Sequence, residues 1–326
     1  MQLCPQQKNA LRCPATLWGS LFAAALLGAL LCGCNEKDDD SAAPAPPALP
    51  EWSDAAHPSG GNALRHAAAL CAMGPRPSGS PAYAEQLGYL ETRLTAAGWA
   101  VQRDSFTAPN GTPMVNLRAV FGDSPEPRPL LVSCHIDTKR LPNFIGADDG
   151  ASAAAVMLEL ARVLSLQPEL AARVEFIFLD GEEAFAARMT DEDGLYGSRF
   201  DAERRANTDT LPRYQINLDM VGGADNTIAV PAYDTSDFML AQYAQAVMSE
   251  NLSSARWTYA PASYRDDHRP YLEYGVNALN LIADFRGSTW WHKSGDTFER
   301  LSARTMGETA RLTLRLLRQL AEDKGE

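Results

Sequence analysis

Residues 173–185 read Arg-Val-Glu-Phe-Ile-Phe-Leu-Asp-Gly-Glu-Glu-Ala-Phe. The first part is an almost unbroken apolar run, the pattern of a strand covered on both faces. It ends at Asp180, and Gly181 predicts a turn. Two adjacent carboxylates, Glu182 and Glu183, follow. Like charges at the end of a buried strand read either as a solvated turn or as a site needing carboxylates in two roles. The rest of the chain has to choose.

Working outward, residues 114–122, 129–137, 214–222 and 277–284 repeat the apolar strand pattern. Residues 60–74, 80–98, 151–167, 235–250 and 302–322 place apolar residues at helical spacing, with Gly98 as a stop signal. Strands alternating with helices predict a single α/β domain with a mainly parallel sheet flanked by helices on both faces. Ligands of such sheets bind outside the carboxyl ends of the strands.

The amino terminus reads differently. Lys8 and Arg12 precede an apolar run, residues 16–34, that describes a secretory signal. Its end, Leu31-Cys32-Gly33-Cys34, resembles a bacterial lipobox with cleavage before Cys34 and lipid on that thiol; an uncleaved anchor or a plain signal is the alternative. The expected division is a signal at 1–33, an acidic and Ala/Pro-rich tether at 34–51, and a catalytic domain at 52–326. The protein is then expected in the bacterial cell envelope, lipid-anchored and facing the periplasm or exterior. Removing the signal leaves 27 basic against 41 acidic residues, a charge of −14. With no basic block, nucleic acid is not expected as a partner. Of the cysteines outside the signal and lipobox, Cys71 and Cys134 are either free or bridged, and the sequence leaves this open.

Polar residues gather where the strands finish. His135 and Asp137 end one strand, Asp148 and Asp149 precede a helix, Glu182 and Glu183 follow the opening strand, Asp219 ends another, and His292 lies in a late loop. Each has a structural reading alone: Asp148 or Asp149 as a helix cap, Asp137 as a partner orienting His135. Together they form a self-repelling cluster unless a cation joins it, and carboxylates with imidazoles suit zinc.

The strings His135-Ile-Asp-Thr-Lys139, Gly146-Ala-Asp-Asp149, Glu182-Glu183, Asn217-Leu-Asp-Met220 and the late His292 resemble M28-type zinc aminopeptidases. The longer strings at 134–139, 146–162, 177–185, 195–200, 266–276 and 291–297 resemble the animal-type glutaminyl cyclases that share their fold. The resemblance covers about residues 60–322 and implies a twisted mixed sheet flanked by helices. It implies one zinc held by Asp149, Glu183 and His292, with Glu182 as general acid/base. Asp219 and Asp266 would form a proton network, Trp291 would be part of the pocket, and Trp290 is expected beside it at the pocket mouth. The implied reaction is cyclisation of N-terminal glutamine to pyroglutamate on peptide or protein N-termini, and the expected state is a monomer. In the aminopeptidase alternative a second zinc joins His135 and Asp219, with Asp149 bridging. A binding protein that has lost its chemistry is disfavoured because no ligand is missing.

His57 and His66 read as structural or solvated, His268 as a helix-start residue, and the 74–81 stretch as a connecting turn or a counterpart of one in these peptidases. Three positions depart from the animal enzymes. Arg188 stands where they have tryptophan, Ala154 where they have the partner of the Cys134 counterpart, and Asn280 where they have a histidine behind the acidic network.

Overall fold

The four predicted apolar strands of the centre lie side by side. The computed structural model describes residues 48–123 and 127–323. Its strands are β1 (Trp99–Thr107), β2 (Pro113–Phe121), β3 (Leu130–His135), β4 (Val174–Leu179), β5 (Tyr214–Asp219), β6 (Ile228–Pro231), β7 (Trp257–Ala260) and β8 (Asn277–Ala283). They form one sheet in the order β1-β2-β4-β3-β5-β8-β6-β7. The inner pairings β4–β3, β3–β5 and β5–β8 are parallel, whereas β1–β2, β2–β4 and β8–β6 are antiparallel. The sheet is therefore mixed, parallel through the part that carries the site.

Every residue of β3, β4 and β5 is buried, as near-continuous apolar runs require when both faces are covered. Side chains alternate across the sheet. Val132, Phe176, Phe178, Ile216 and Leu218 join the larger core under α1 (Gly60–Ala72), α2 (Pro81–Ala96), α3 (Ala153–Ser165), α6 (Asp237–Ser249) and α8 (Ala303–Glu322). Leu131, Ile177 and Leu179 face the other way, into a small cluster with Ala202, Tyr271 and Val276. There α5 (Tyr196–Thr208) and α7 (Arg269–Glu273) cover the sheet, and α4 (Pro168–Ala171) is a single turn before β4.

The apolar pattern did not disclose β1, β6, β7, α5 or α7. Along β1 most residues are exposed or half-buried, so its side chains are largely polar. The helix α5 is mostly polar, contributing only Ala202 to the small apolar cluster, and ion pairs fix it: Arg205 reaches Glu175 on β4 and Asp201 on its own helix, each at 2.5 Å. Among the described residues no helix is long and apolar enough to cross a membrane. The signal, Cys34 and most of the tether lie outside the described residues.

Candidate active site

The two glutamates are placed by a turn. β4 ends at Leu179, and Gly181 follows at φ 74°, a left-handed conformation that a side chain would strain and where a Cβ would meet Met114 Sδ at 2.6 Å. The chain has left the strand before Glu182, so the pair is parted by irregular backbone and not by strand alternation. The buried Asp137 carboxylate accepts the N–H of Glu182 at 3.1 Å and of Glu183 at 3.3 Å. Asp137 thus fixes the glutamate turn, while its carbonyl, not its carboxylate, bonds His135 Nδ1 at 3.1 Å.

Asp149 lies in the tight turn Ala147–Ser152 that opens α3, at φ −84° and ψ 87°, next to Gly150 at φ 103°. Two groups distant in sequence hold this turn. Arg76, fully buried, donates to the carbonyls of Ile145 (3.1 Å) and Gly146 (3.2 Å). Asp296 accepts the N–H groups of Asp148 (2.9 Å) and Asp149 (3.1 Å). Asp296 follows His292 by four residues, so it joins the loop of the histidine to the loop of the aspartate. His292 itself has φ 52°, and its ring stacks on Trp291 with centroids 4.0 Å apart.

Asp149, Glu183 and His292 each bring a ligand atom within 4.8 Å of the others, and so do His135, Asp149 and Asp219. His292 Nε2 lies 3.1 Å from Glu183 Oε1 and 3.4 Å from Asp149 Oδ2. Those two oxygens are buried and receive no hydrogen bond. Buried carboxylate oxygens are rarely left unpaired, and here two of them face an imidazole nitrogen. That donor set fits a divalent cation such as zinc. The other oxygen of Glu183 is held by Lys139 Nζ at 3.2 Å, which leaves Oε1 to face inward. The second group is closed by protein contacts instead, since His135 Nε2 bonds Asp219 Oδ1 at 3.1 Å.

The electrostatics agree. Burial opposes charge on His292, yet the carboxylates of Asp149 and Glu183 raise its pKa to about 9. Burial, then repulsion from Asp266, raises Asp219 to about 7. Burial also pushes Glu182 well above the usual carboxylate range, with Glu183 and Asp266 adding to it. Such a set holds protons unless another cation takes their place.

These groups line one cavity of about 310 Å³ at the carboxyl ends of the parallel strands. Tyr264, Phe285, Trp291 and His292 form an aromatic wall along it, with successive ring centroids 5.7, 4.5 and 4.0 Å apart.

A profile of peptidase family M28 matches residues 116–317. A glutaminyl-peptide cyclotransferase of Gloydius blomhoffii is 32% identical over 276 residues, covering 72% of this chain and 74% of the relative. The chain belongs to peptidase family M28, among its glutaminyl cyclases. The crystal structure of an Acidobacteriales bacterium glutaminyl cyclase superposes with TM-score 0.72 at 25% identity, over 85% of this chain and 99% of that one. A Zn-dependent exopeptidase from Parabacteroides distasonis shares the fold, with TM-score 0.69 and 22% identity over 83% and 99%.

Within this M28 chain the remaining predicted residues divide. Asp266 lines the cavity, and its two oxygens accept Asn217 Nδ2 at 3.1 Å and Asn280 Nδ2 at 2.7 Å. Asn280 therefore supplies a donor to the acidic network. Trp291 lines the cavity, but Trp290 does not: it is buried beneath Arg300, whose guanidinium lies 4.1 Å from its ring. One peptide step on this turn sends the two indoles in different directions. Asp148 does not cap a helix. Its oxygens accept Gly222 N–H (2.8 Å) and Asn226 Nδ2 (2.6 Å), tying the loop after β5 to the Asp149 turn. His268 is buried at the start of α7, 3.5 Å from Asp234, and is not in the cavity lining. Cys71 and Cys134 are both free. The 74–81 stretch is more than a connection, for it carries Arg76 and also Ser78, whose hydroxyl donates to Asp180 at 2.6 Å. Composition missed Lys139, Arg76 and Asp296. Lys139 and Asp296 do fall inside the motif strings, four residues after His135 and His292.

Proposed function

We propose that this chain is a glutaminyl-peptide cyclotransferase that converts N-terminal glutamine of peptides to pyroglutamate, using one zinc ion. What carries the single-metal reading is the asymmetry of the two ligand groups. Asp149 Oδ2 and Glu183 Oε1 are buried without a hydrogen bond, whereas His135 and Asp219 bond each other. Asp149, Glu183 and His292 would hold the zinc, which would supply Lewis-acid polarisation of the side-chain amide carbonyl. The substrate α-amine bonds to the amide carbon, and Glu182 takes its proton. Glu182 returns that proton to the amide nitrogen as the carbon–nitrogen bond breaks and ammonia leaves. Asp219, bonded to His135, and Asp266, oriented by Asn217 and Asn280, hold the proton network beside Glu182. The wall of Tyr264, Phe285 and Trp291 keeps water from competing with the amine.

The grouping of His135, Asp149 and Asp219 favours one second reading, a two-zinc aminopeptidase. Incubation with a Gln-initiated and a Leu-initiated peptide separates the two. Loss of ammonia from the first marks the cyclase; loss of a residue from the second marks the peptidase. His135→Ala should leave about one zinc per chain on the cyclase reading.

We also propose that the protein, as a monomer, is lipid-anchored at Cys34 in the cell envelope, facing the periplasm or exterior. The basic start, apolar run and Leu31–Cys34 string support this. Cys34→Ser should abolish lipidation, and unchanged membrane association in that variant would refute the anchor.

A further inference from the structure

The acidic residues and the histidine of the cavity fall into two sets. Asp149, Glu183 and His292 form the metal group, and Glu182, Asp219 and Asp266 the proton-handling group. The charges left over are Lys139, Arg188 and Arg265, all basic, on a chain of net charge −12. Lys139 is bonded to Glu183. Arg188 is exposed and makes no hydrogen bond or ion pair among the described residues. Arg265 is anchored to its neighbour's loop: one guanidinium nitrogen donates to Met189 O at 3.1 Å, the other lies 2.8 Å from Asp191. Asp191 is 83% exposed, so that pair stays wet and weak. Arg265 thereby fixes the segment that carries Arg188 and adds its own charge to the same side of the mouth.

A free guanidinium at the rim of a reaction cavity has an obvious complement in a carboxylate, which it can bind through two parallel N–H groups. The cavity, about 310 Å³, is at the small end of ligand sites. It takes the N-terminal residue and leaves the following residues at the mouth, where Arg188 lies.

We propose that Arg188, assisted by Arg265, is a specificity determinant that binds a carboxylate one or two residues beyond the reacting terminus. The preferred substrates are then glutaminyl peptides with an acidic side chain at the second or third position, or short ones whose terminal carboxylate falls there. This rests on the cyclase reading above.

The test compares kcat/KM for C-terminally amidated Gln-Glu-Ala and Gln-Gln-Ala peptides, and for Gln-Ala-Ala with a free or amidated carboxyl end. At low salt the Glu peptide should be favoured about 3- to 5-fold, mainly through KM, as suits a solvent-exposed pair. The preference should fade as salt shortens the screening length. A free-acid preference without a Glu preference would assign the site to the chain terminus; the reverse would assign it to side chains. In Arg188→Gln the ratio should fall towards one, and in Arg188→Glu it should invert. Arg265→Gln, a second variant, should reduce it partially. Equal rates for acidic and neutral peptides, or a preference that survives Arg188→Gln in protein of unchanged Tm, overturn the proposal while leaving the cyclase standing. Failure to release ammonia from any of the four peptides overturns the cyclase reading and this inference with it.

Discussion

The same sheet buries two clusters of charge, and they are built on opposite plans. Beside β2 and β4, Glu175 is paired with Arg118 at 2.6 Å and Arg205 at 2.5 Å, and Asp201 with Arg205 and Arg204, each at 2.5 Å. Tyr271 adds its hydroxyl to Asp201 at 2.6 Å. Each of these carboxylates meets a guanidinium of the protein itself. At the carboxyl ends of the strands, carboxylates outnumber cationic partners, and two inward-facing oxygens, Asp149 Oδ2 and Glu183 Oε1, receive no hydrogen bond among the described residues. The first cluster is finished by folding, and the second is finished by something that binds. A buried charge is tolerated only when paired, so the deficit marks the site more plainly than any single residue does.

The adjacent glutamates test that contrast with the largest effect. Glu183→Gln removes the charge that complements the cation, so zinc content and turnover should both collapse. Glu182→Gln leaves the ligand group intact, so zinc should stay while turnover falls by ~10²–10⁴-fold, as for lost general acid–base groups. Metal analysis with single-turnover rates on both variants checks this. Zinc lost from Glu182→Gln but kept by Glu183→Gln would mean the roles are reversed.

Breaking the self-sufficient cluster should affect stability before activity. Arg205→Met leaves Glu175 and Asp201 buried with fewer partners, a change that costs about 3–5 kcal/mol when one member of a buried pair is removed. Denaturant unfolding should register that loss while zinc content remains at its normal level. An unaffected unfolding midpoint would mean that α5 is held by its small apolar cluster and not by these ions.

His66 represents a third solution, a buried titratable group that stays neutral. Burial, with Arg93 and Arg162 nearby, lowers its pKa to about 3, and its Nδ1 lies 2.8 Å from the Tyr89 hydroxyl. Below pH ~6.5 the unfolded chain takes up a proton that the folded chain refuses, so stability is complete above that pH and falls as pH drops towards about 3. At pH 4 the loss amounts to about 3 kcal/mol. His66→Gln should flatten this acid limb in unfolding curves recorded between pH 4 and 7. An unchanged limb would assign the acid sensitivity to carboxylates.

The parts of the molecule that were legible in sequence are those where one kind of signal dominates. Unbroken apolar runs exposed β3, β4, β5 and β8, and polar residues at their ends marked the groups that the fold brings together at Asp149, Glu183 and His292. β1 and α5 were illegible because their stabilisation is ionic or edge-like. Glu175 and Arg205 are 30 residues apart, and no periodicity links them. Arg76 was hidden inside a Gly/Pro-rich stretch that normally signals a turn, although its guanidinium is fully buried. Trp290 and Trp291 could not be told apart, since an irregular loop has no repeat to say which neighbour turns inward.

Asp296 offers the subtlest test, because it touches no ligand side chain. Its two oxygens separately accept the N–H groups of Asp148 and Asp149, and it sits on the loop that carries His292. Asp296→Asn keeps the volume but provides one acceptor where two are needed. The amide NH₂ then faces a backbone N–H, and one buried donor loses its partner. The Asp149 turn should relax away from His292, so the two ligand loops would no longer be fixed relative to each other. Supporting residues of this sort commonly change metal affinity by about 10–100-fold. Chelator competition should show that loss, while excess zinc restores most of the turnover because Glu182 and the cavity wall are untouched. Recovery under excess zinc distinguishes a positioning role from damage to the catalytic groups. Wild-type zinc affinity in Asp296→Asn would mean that Arg76, gripping the same turn through Ile145 and Gly146, is sufficient to hold it.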